Sequence, residues 1–367
     1  GTRTHDARTL AQELQGIGGE ASGSAGQDGT YLWASSLDWG APRLVGILGE
    51  IAREPAFPET EVVQLRERTL ASIQAREADP SFQARRAFMG ALYGEHPYSH
   101  VGLDPAWVKN LDRAQIAKAH AARFRPDRAL LLVVGAFDAK AVGKAVDQAL
   151  GSWKAEGAAI PDVTPPTAAP KPAVVIKERP DSVQTALVLG RRALPEGHPD
   201  LPALSLAVEV AGGAFGSRIT RNIREDKGYT YSPYMSLSKG LAAGTVAESA
   251  AVRTAVTGAT VTEVFYELAR MGAVDVPADE LVKAKRSLAG SYLFQTLSLD
   301  AYGSALASAW LMGQPAESLA AWVPKIQAVT AADVKRAART YLAPKTFTIV
   351  AVGDSAAIKQ ELAPWME

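Results

Sequence analysis

A chain of 367 residues exceeds a single typical core and suits two domains, and with 47% hydrophobic and 21% charged residues its composition is that of an ordinary soluble globular protein. Lys plus Arg and Asp plus Glu stand at 39 each, so no net field is directed at nucleic acid or at an anionic membrane. The absence of cysteine excludes disulfides, thiolate zinc sites and cysteine nucleophiles, and it is compatible with an oxidising compartment.

Gly1 opens almost directly on a helix-like segment, so a preceding stretch of chain is expected. Val62, Leu65, Leu70 and Ile73 follow a helical period. Pro97 and Gly94 make Glu95-His96-Pro97-Tyr98-Ser99-His100 a turn, which argues against a metal site on one helical face despite the spacing of His96 and His100. His5, His120 and His198 are isolated and read as solvent-facing or structural. Ile116, with Phe124 nearby, belongs to a further helix. The apolar stretch Ala129 to Val134 is far short of the ~20 residues a membrane helix needs and reads as a strand. Asp138 then caps a helix whose buried face is Val142, Val146 and Leu150.

Pro161, Pro165, Pro166, Pro170 and Pro172 among Ala and Thr mark residues 154–172 as an extended linker. Strands follow over Val174 to Ile176, Thr185 to Leu189 and Thr346 to Val352, and Asp354 caps a last helix with Ile358 and Leu362 inside. The two sides of the linker repeat one another. Arg68-Thr69-Leu70-Ala71 recurs as Arg286-Ser287-Leu288-Ala289, and the segment from Pro126 to Gly135 recurs from Pro344 to Gly353, both at an offset of 218. Gly18-Gly19 and Gly212-Gly213 are only 194 apart, so the second half holds about 24 extra residues nearby. The expected organisation is a first repeat over 1–153, a linker over 154–172 and a second repeat over 173–367, each an α+β layer of helices on a sheet.

The most informative stretch is Ala211-Gly212-Gly213-Ala214-Phe215-Gly216-Ser217-Arg218, followed by Ile223-Arg224-Glu225-Asp226-Lys227-Gly228-Tyr229-Thr230-Tyr231. Arg224 offers a permanently charged planar fork of donors and Tyr231 a phenol, a pair able to hold a peptide carbonyl and the oxyanion it becomes. Gly212, Gly213 and Gly216, with Ser217, are candidate substrate-binding positions where the backbone can approach a peptide closely, with a plain turn as the competing reading of the glycines. This stretch resembles the second-half signature of the pitrilysin and mitochondrial-processing-peptidase family, the inverted zincins. The matching residues are Gly212, Gly213, Ser217, Arg218 and Ile219 against a run of a glycine pair followed by Ser-Arg-Leu, and Ile223, Arg224, Glu225, Gly228 and Tyr231 in an L-R-E-x-x-G-x-x-Y run.

The resemblance implies two processing-peptidase-like domains with mostly antiparallel sheets. Family members build a closed chamber from four such domains, so a two-domain chain supplies half of one. A first-half domain of the family carries H-x-x-E-H, followed within a few residues by Gly-Thr, and this chain begins with Gly1-Thr2. Its third zinc ligand is a Glu seven residues after the Glu of a Glu-Arg pair. Here that pair is Glu67-Arg68 and the ligand position is Gln74, an amide without the charge a zinc site needs. Ser22-Gly23 also depart from the family's Asn-Ala strand. The resemblance therefore implies a non-zinc subunit of a heterodimeric zinc metallo-endopeptidase, with no cofactor of its own and inactive alone. A homologous partner with an intact H-x-x-E-H would hold the zinc, the substrates would be peptides or unfolded proteins, and the location would be periplasmic. Competing readings are a non-catalytic scaffold and a module that binds extended peptides by strand addition.

Overall fold

The computed structural model describes residues 1–167 and 171–366. Pro170 of the expected linker and the last residue of the expected second repeat lie outside the described residues. Two compact units emerge, one of residues 1–73 and 103–162, the other of residues 74–102 and 163–367.

In the first unit α1 (Ala7–Gly16) starts at Asp6, whose carboxylate accepts the Thr9 amide at 2.7 Å. An antiparallel hairpin of β1 (Glu20–Ala25) and β2 (Thr30–Ser35) follows, with Glu20 opposite Ser35. Then come α2 (Ala41–Arg53) and α3 (Glu59–Glu77), the latter ending in the second unit. After α4 (Pro80–Tyr93), which belongs to the second unit, the chain returns with α5 (Pro105–Lys109), α6 (Arg113–Arg123) and α7 (Ala139–Leu150). Asp138 caps α7 as its sequence predicts, accepting the Lys140 and Ala141 amides at 2.8 and 3.1 Å. The core is small, with Leu10, Ile17 and Ile47 buried against Leu14, Leu44 and Ile51. The strand expected at the end of the Ala129 to Val134 run does not form. Its backbone joins no ladder, because the described strands of this unit, β1 and β2, pair only with each other. Leu130, Leu131 and Leu132 stay more than a third exposed.

The second unit carries a five-stranded sheet in the order β3-β7-β4-β6-β5. Its elements are β3 (Val174–Glu178), β4 (Gln184–Ala193), α8 (Leu201–Val208), β5 (Tyr234–Ser238), β6 (Gly244–Arg253), α9 (Thr257–Ala273), α10 (Ala278–Phe294), α11 (Leu299–Leu311), α12 (Ser318–Ala328), α13 (Ala331–Tyr341), β7 (Thr348–Gly353) and α14 (Ser355–Leu362). All pairings are antiparallel except β3 with β7. Period-2 alternation sends Leu187, Leu189, Val246, Ile349 and Ala351 to the main core, formed with α8, α9 and α13. Val188, Ala247, Val350 and Val352 face the other way, onto Ala84, Phe88 and Leu92 of α4. Thus α4, which the repeat boundaries place in the first half, packs on the second sheet. Tyr93 fastens it by donating to the Gly244 carbonyl at 2.7 Å, and Arg192 donates to the Leu92 carbonyl at 2.6 Å.

The repeat is visible in the elements themselves, since α6 spans 113–123 and α13 spans 331–341, the offset of 218 at both ends. Residues 161–166, with three prolines among them, lie outside any helix or strand. No described helix is long and apolar enough to cross a membrane.

One tie in this unit sets a pH dependence. Arg336 grips Asp200 through two donors at 2.8 and 2.9 Å and Tyr341 donates to it at 2.7 Å, holding its carboxyl at about 2, below the usual 3.8. A depressed carboxyl stabilises the fold above its unfolded value and loses that contribution as pH falls through the folded one. Between about pH 4 and pH 2 the unit should lose roughly 1 kcal/mol from this group, a figure reduced for solvent screening. Urea unfolding of Arg336→Ala across that range is expected to show a flatter slope than the parent chain, and equal slopes would refute the assignment.

Candidate functional site

The end of α8 widens into a π turn over Glu209–Gly213, closed by the Ala214 amide on the Glu209 carbonyl at 3.3 Å. After a tight turn, in which the Ser217 amide donates to Ala214 at 3.0 Å, a second π turn runs over Thr220–Asp226. Such turns are rare and often mark functional sites. Gly212 is buried where a Cβ would lie 2.6 Å from the Met235 Cβ and 2.8 Å from Glu248 Oε2, so its missing side chain admits β5 and β6. Gly213 borders Glu209, and Gly216 is exposed with open space beside it. Ser217 is buried and its hydroxyl donates to Thr220 at 3.0 Å. Arg218, also buried, is held by Glu280 of α10 through donors at 3.0 and 2.5 Å. Of the four candidate substrate contacts, Gly212 and Ser217 thus face inward, while Gly213 and Gly216 lie at the accessible side of the turn.

Ile219 and Ile223 anchor the second π turn in the core. Gly228, at a φ of 60°, reverses the chain so that the Tyr229 amide reaches the Ile223 carbonyl at 2.8 Å, and the Thr230 hydroxyl pins the next residue to the Ala251 carbonyl of β6 at 2.7 Å. This brings Tyr231 to Arg224, whose guanidinium carbon lies 5.0 Å from the phenol ring centroid. The same carbon lies 4.4 Å from the ring of Phe215. Among the described residues the Arg224 guanidinium has no ion-pair or hydrogen-bond partner, and the Tyr231 ring is 82% exposed. A charged donor fork and a phenol hydroxyl therefore stand together, both uncommitted, beside a glycine turn.

The segment is braced from behind. Asn222 donates to Glu263 at 3.0 Å and to Glu267 at 3.1 Å, both on α9, while Lys227 donates to Asn222 at 2.7 Å and pairs with Glu263 at 3.0 Å. Burial works against the Glu263 carboxylate, yet Lys227 and Asn222 hold its carboxyl below the usual range.

Directly under Gly212 lies Glu248, 1% exposed, on the inward face of β6 opposite Leu189 and Met235. Burial pushes its carboxyl well above the usual range, against a smaller lowering by the Tyr234 backbone amide. Sequence reasoning missed Glu248, Asn222 and Phe215. The legible signal for Glu248 was a carboxylate at the same strand parity as Val246 and Val252.

Gln74 is an exposed amide on α3. The His96 to His100 segment is a single turn of 3-10 helix, and both His96 ring nitrogens are engaged, Nδ1 accepting the Tyr98 amide at 3.1 Å and Nε2 donating to the Thr164 carbonyl at 2.8 Å. Among the described residues no three His, Cys, Asp or Glu side chains gather as metal donors.

Residues 110–288, which include the whole Arg/Tyr run, match the peptidase M16 inactive domain. An uncharacterized zinc protease of Mycobacterium leprae is 28% identical over 240 residues, 64% of this chain and 54% of that protein. One of Bacillus subtilis is 26% identical over 236 residues, 64% of this chain and 56% of the relative. The chain thus spans about half the length of the curated relatives it matches. The crystal structure of a peptidase M16 inactive domain from Pseudomonas fluorescens superposes with a TM-score of 0.87 at 25% identity, covering 96% of this chain and 85% of that one. A protease from Helicobacter pylori, at 17% identity and a TM-score of 0.83, shares the fold over 96% of this chain and 86% of its own. Its α+β layers and its Arg/Tyr run are similar to those of the pitrilysin-type M16 peptidase family, whose inactive domain matches residues 110–288 of this chain.

Proposed function

We propose that this chain is the non-zinc subunit of a two-subunit metallo-endopeptidase. The observation that carries the reading is Arg224 beside Tyr231, both without a polar partner among the described residues and both presented by a braced turn. The Arg224 N–H edge and the Tyr231 hydroxyl would bind the substrate carbonyl and hold the negative charge that develops on its oxygen. A homologous partner with H-x-x-E-H would supply the zinc that activates water and the Glu that takes its proton. Gly213 and Gly216 would border the bound peptide. A periplasmic setting goes with this proposal.

Mixing the chain with a homologous chain that retains H-x-x-E-H tests the reading. Light scattering should show a heterodimer, peptide hydrolysis should require both chains, and the zinc should stay with the partner. About one zinc per copy of this chain, bound at micromolar affinity after reloading, would overturn the assignment. A monomer inert toward every zinc-bearing homologue would favour a peptide-binding module instead.

A further inference from the structure

Phe215 stands at the tip of the turn between the two π segments, 71% exposed. Burial does not account for a ring in that place. The ring lies against Arg224, whose guanidinium carbon is 4.4 Å from its centroid, nearer than the 5.0 Å to the Tyr231 ring. An arginine without an ion pair samples many rotamers on a surface, and an active site gains from a donor already aimed. Ring faces attract a guanidinium through its charge and its plane, while leaving the N–H edge free to donate. Glu225 and Asp226 are neighbours in sequence, yet neither pairs with Arg224.

We propose that Phe215 is a positioning residue for Arg224: together with Tyr231 it forms a two-ring seat that orders the guanidinium before substrate arrives. Phe215 has no polar atom, so it acts through Arg224 and not on the reacting carbonyl. The inference rests on the proposed role of Arg224, but the seat itself can be tested without peptidase activity. The turn that presents the ring is fixed by Ser217 on Ala214 and by the Ser217 hydroxyl on Thr220, and substitution of so exposed a side chain leaves that frame intact.

Two measurements test it. In the chain alone, NMR of the Arg224 side chain should show ring-current shifts at its δ-methylene and Nε–H protons that shrink in Phe215→Ala and Phe215→Leu and persist in Phe215→Trp. In the assembled peptidase, Phe215→Ala and Phe215→Leu should lower kcat about fivefold with KM little changed, and Phe215→Trp should stay within about twofold of the parent. In an Arg224→Ala background, Phe215→Ala should cost nothing more. Arg224 signals identical in the parent and Phe215→Ala would overturn the seat. A Phe215→Ala loss that persists without Arg224 would also overturn it, since the ring would then be touching substrate itself. Full activity in Arg224→Ala would instead sink the proposed function, with the ring-current shifts still deciding whether the seat exists.

Discussion

In the two-subunit peptidase proposed above, Arg224→Ala or Tyr231→Phe should lower activity by about 10²-fold or more, mainly in kcat, the loss expected on removal of one oxyanion donor under that proposal. The donors matter most once charge has built up on the carbonyl oxygen, so substrate binding should change less than turnover. Zinc content and assembly should be unchanged, because neither side chain makes an internal ion pair or hydrogen bond among the described residues. Arg221 is the proper control, being exposed and of the same charge on the same turn. Lys227, which looks equivalent in sequence, is not, because it braces Asn222 and Glu263. If Arg221→Ala and Arg224→Ala lost activity equally, long-range attraction of substrate would account for both. Full activity in the Arg224→Ala, Tyr231→Phe double variant would leave the scaffold reading standing.

Glu248→Gln is expected to stabilise the second unit, and increasingly so as pH rises. The folded chain holds this carboxyl protonated above its usual range of about 4.5, whereas the unfolded chain ionises there. The contribution of such a raised group is fully present below the unfolded value and is lost as pH rises toward the folded one. Glutamine has the same shape and does not titrate, so the gap between variant and parent should widen by up to about 1.4 kcal/mol per pH unit above the ordinary carboxyl range until the folded carboxyl itself ionises. Urea unfolding of both proteins from pH 4.5 to pH 8 measures it. A difference that stays constant with pH would mean that Glu248 is ionised in the fold with a counter-charge. The position matters for the site because Oε2 touches the space at Gly212, so the glycine turn rests on this buried acid.

Much of this protein was legible in its residues because the signals are local or carried by chemical identity. Asp138 and Asp354 cap helices because a short carboxylate reaches amides two and three residues ahead, a geometry that needs no distant partner. The repeat offset survives in helix boundaries, and the spacing of Arg224 and Tyr231 encodes a turn that folds them together. Other features depend on which surfaces meet. Residues 129–134 have the composition of a strand, but a strand exists only where another backbone accepts its hydrogen bonds. The face of α4 is apolar in any setting, and only packing chose the sheet of the second unit for it. Gly212 looks like a glycine for a ligand until Met235 and Glu248, from strands 23 and 36 residues on, fill the space beside it. Phe215 looks like a turn residue until Arg224 comes to lie over it. Sequence by itself determined the repeat, the caps and the chemical pair, since each is written in short-range spacing. Tertiary structure alone decided what stands behind that pair and what steadies it, because close packing and desolvation arise only when distant segments share one volume.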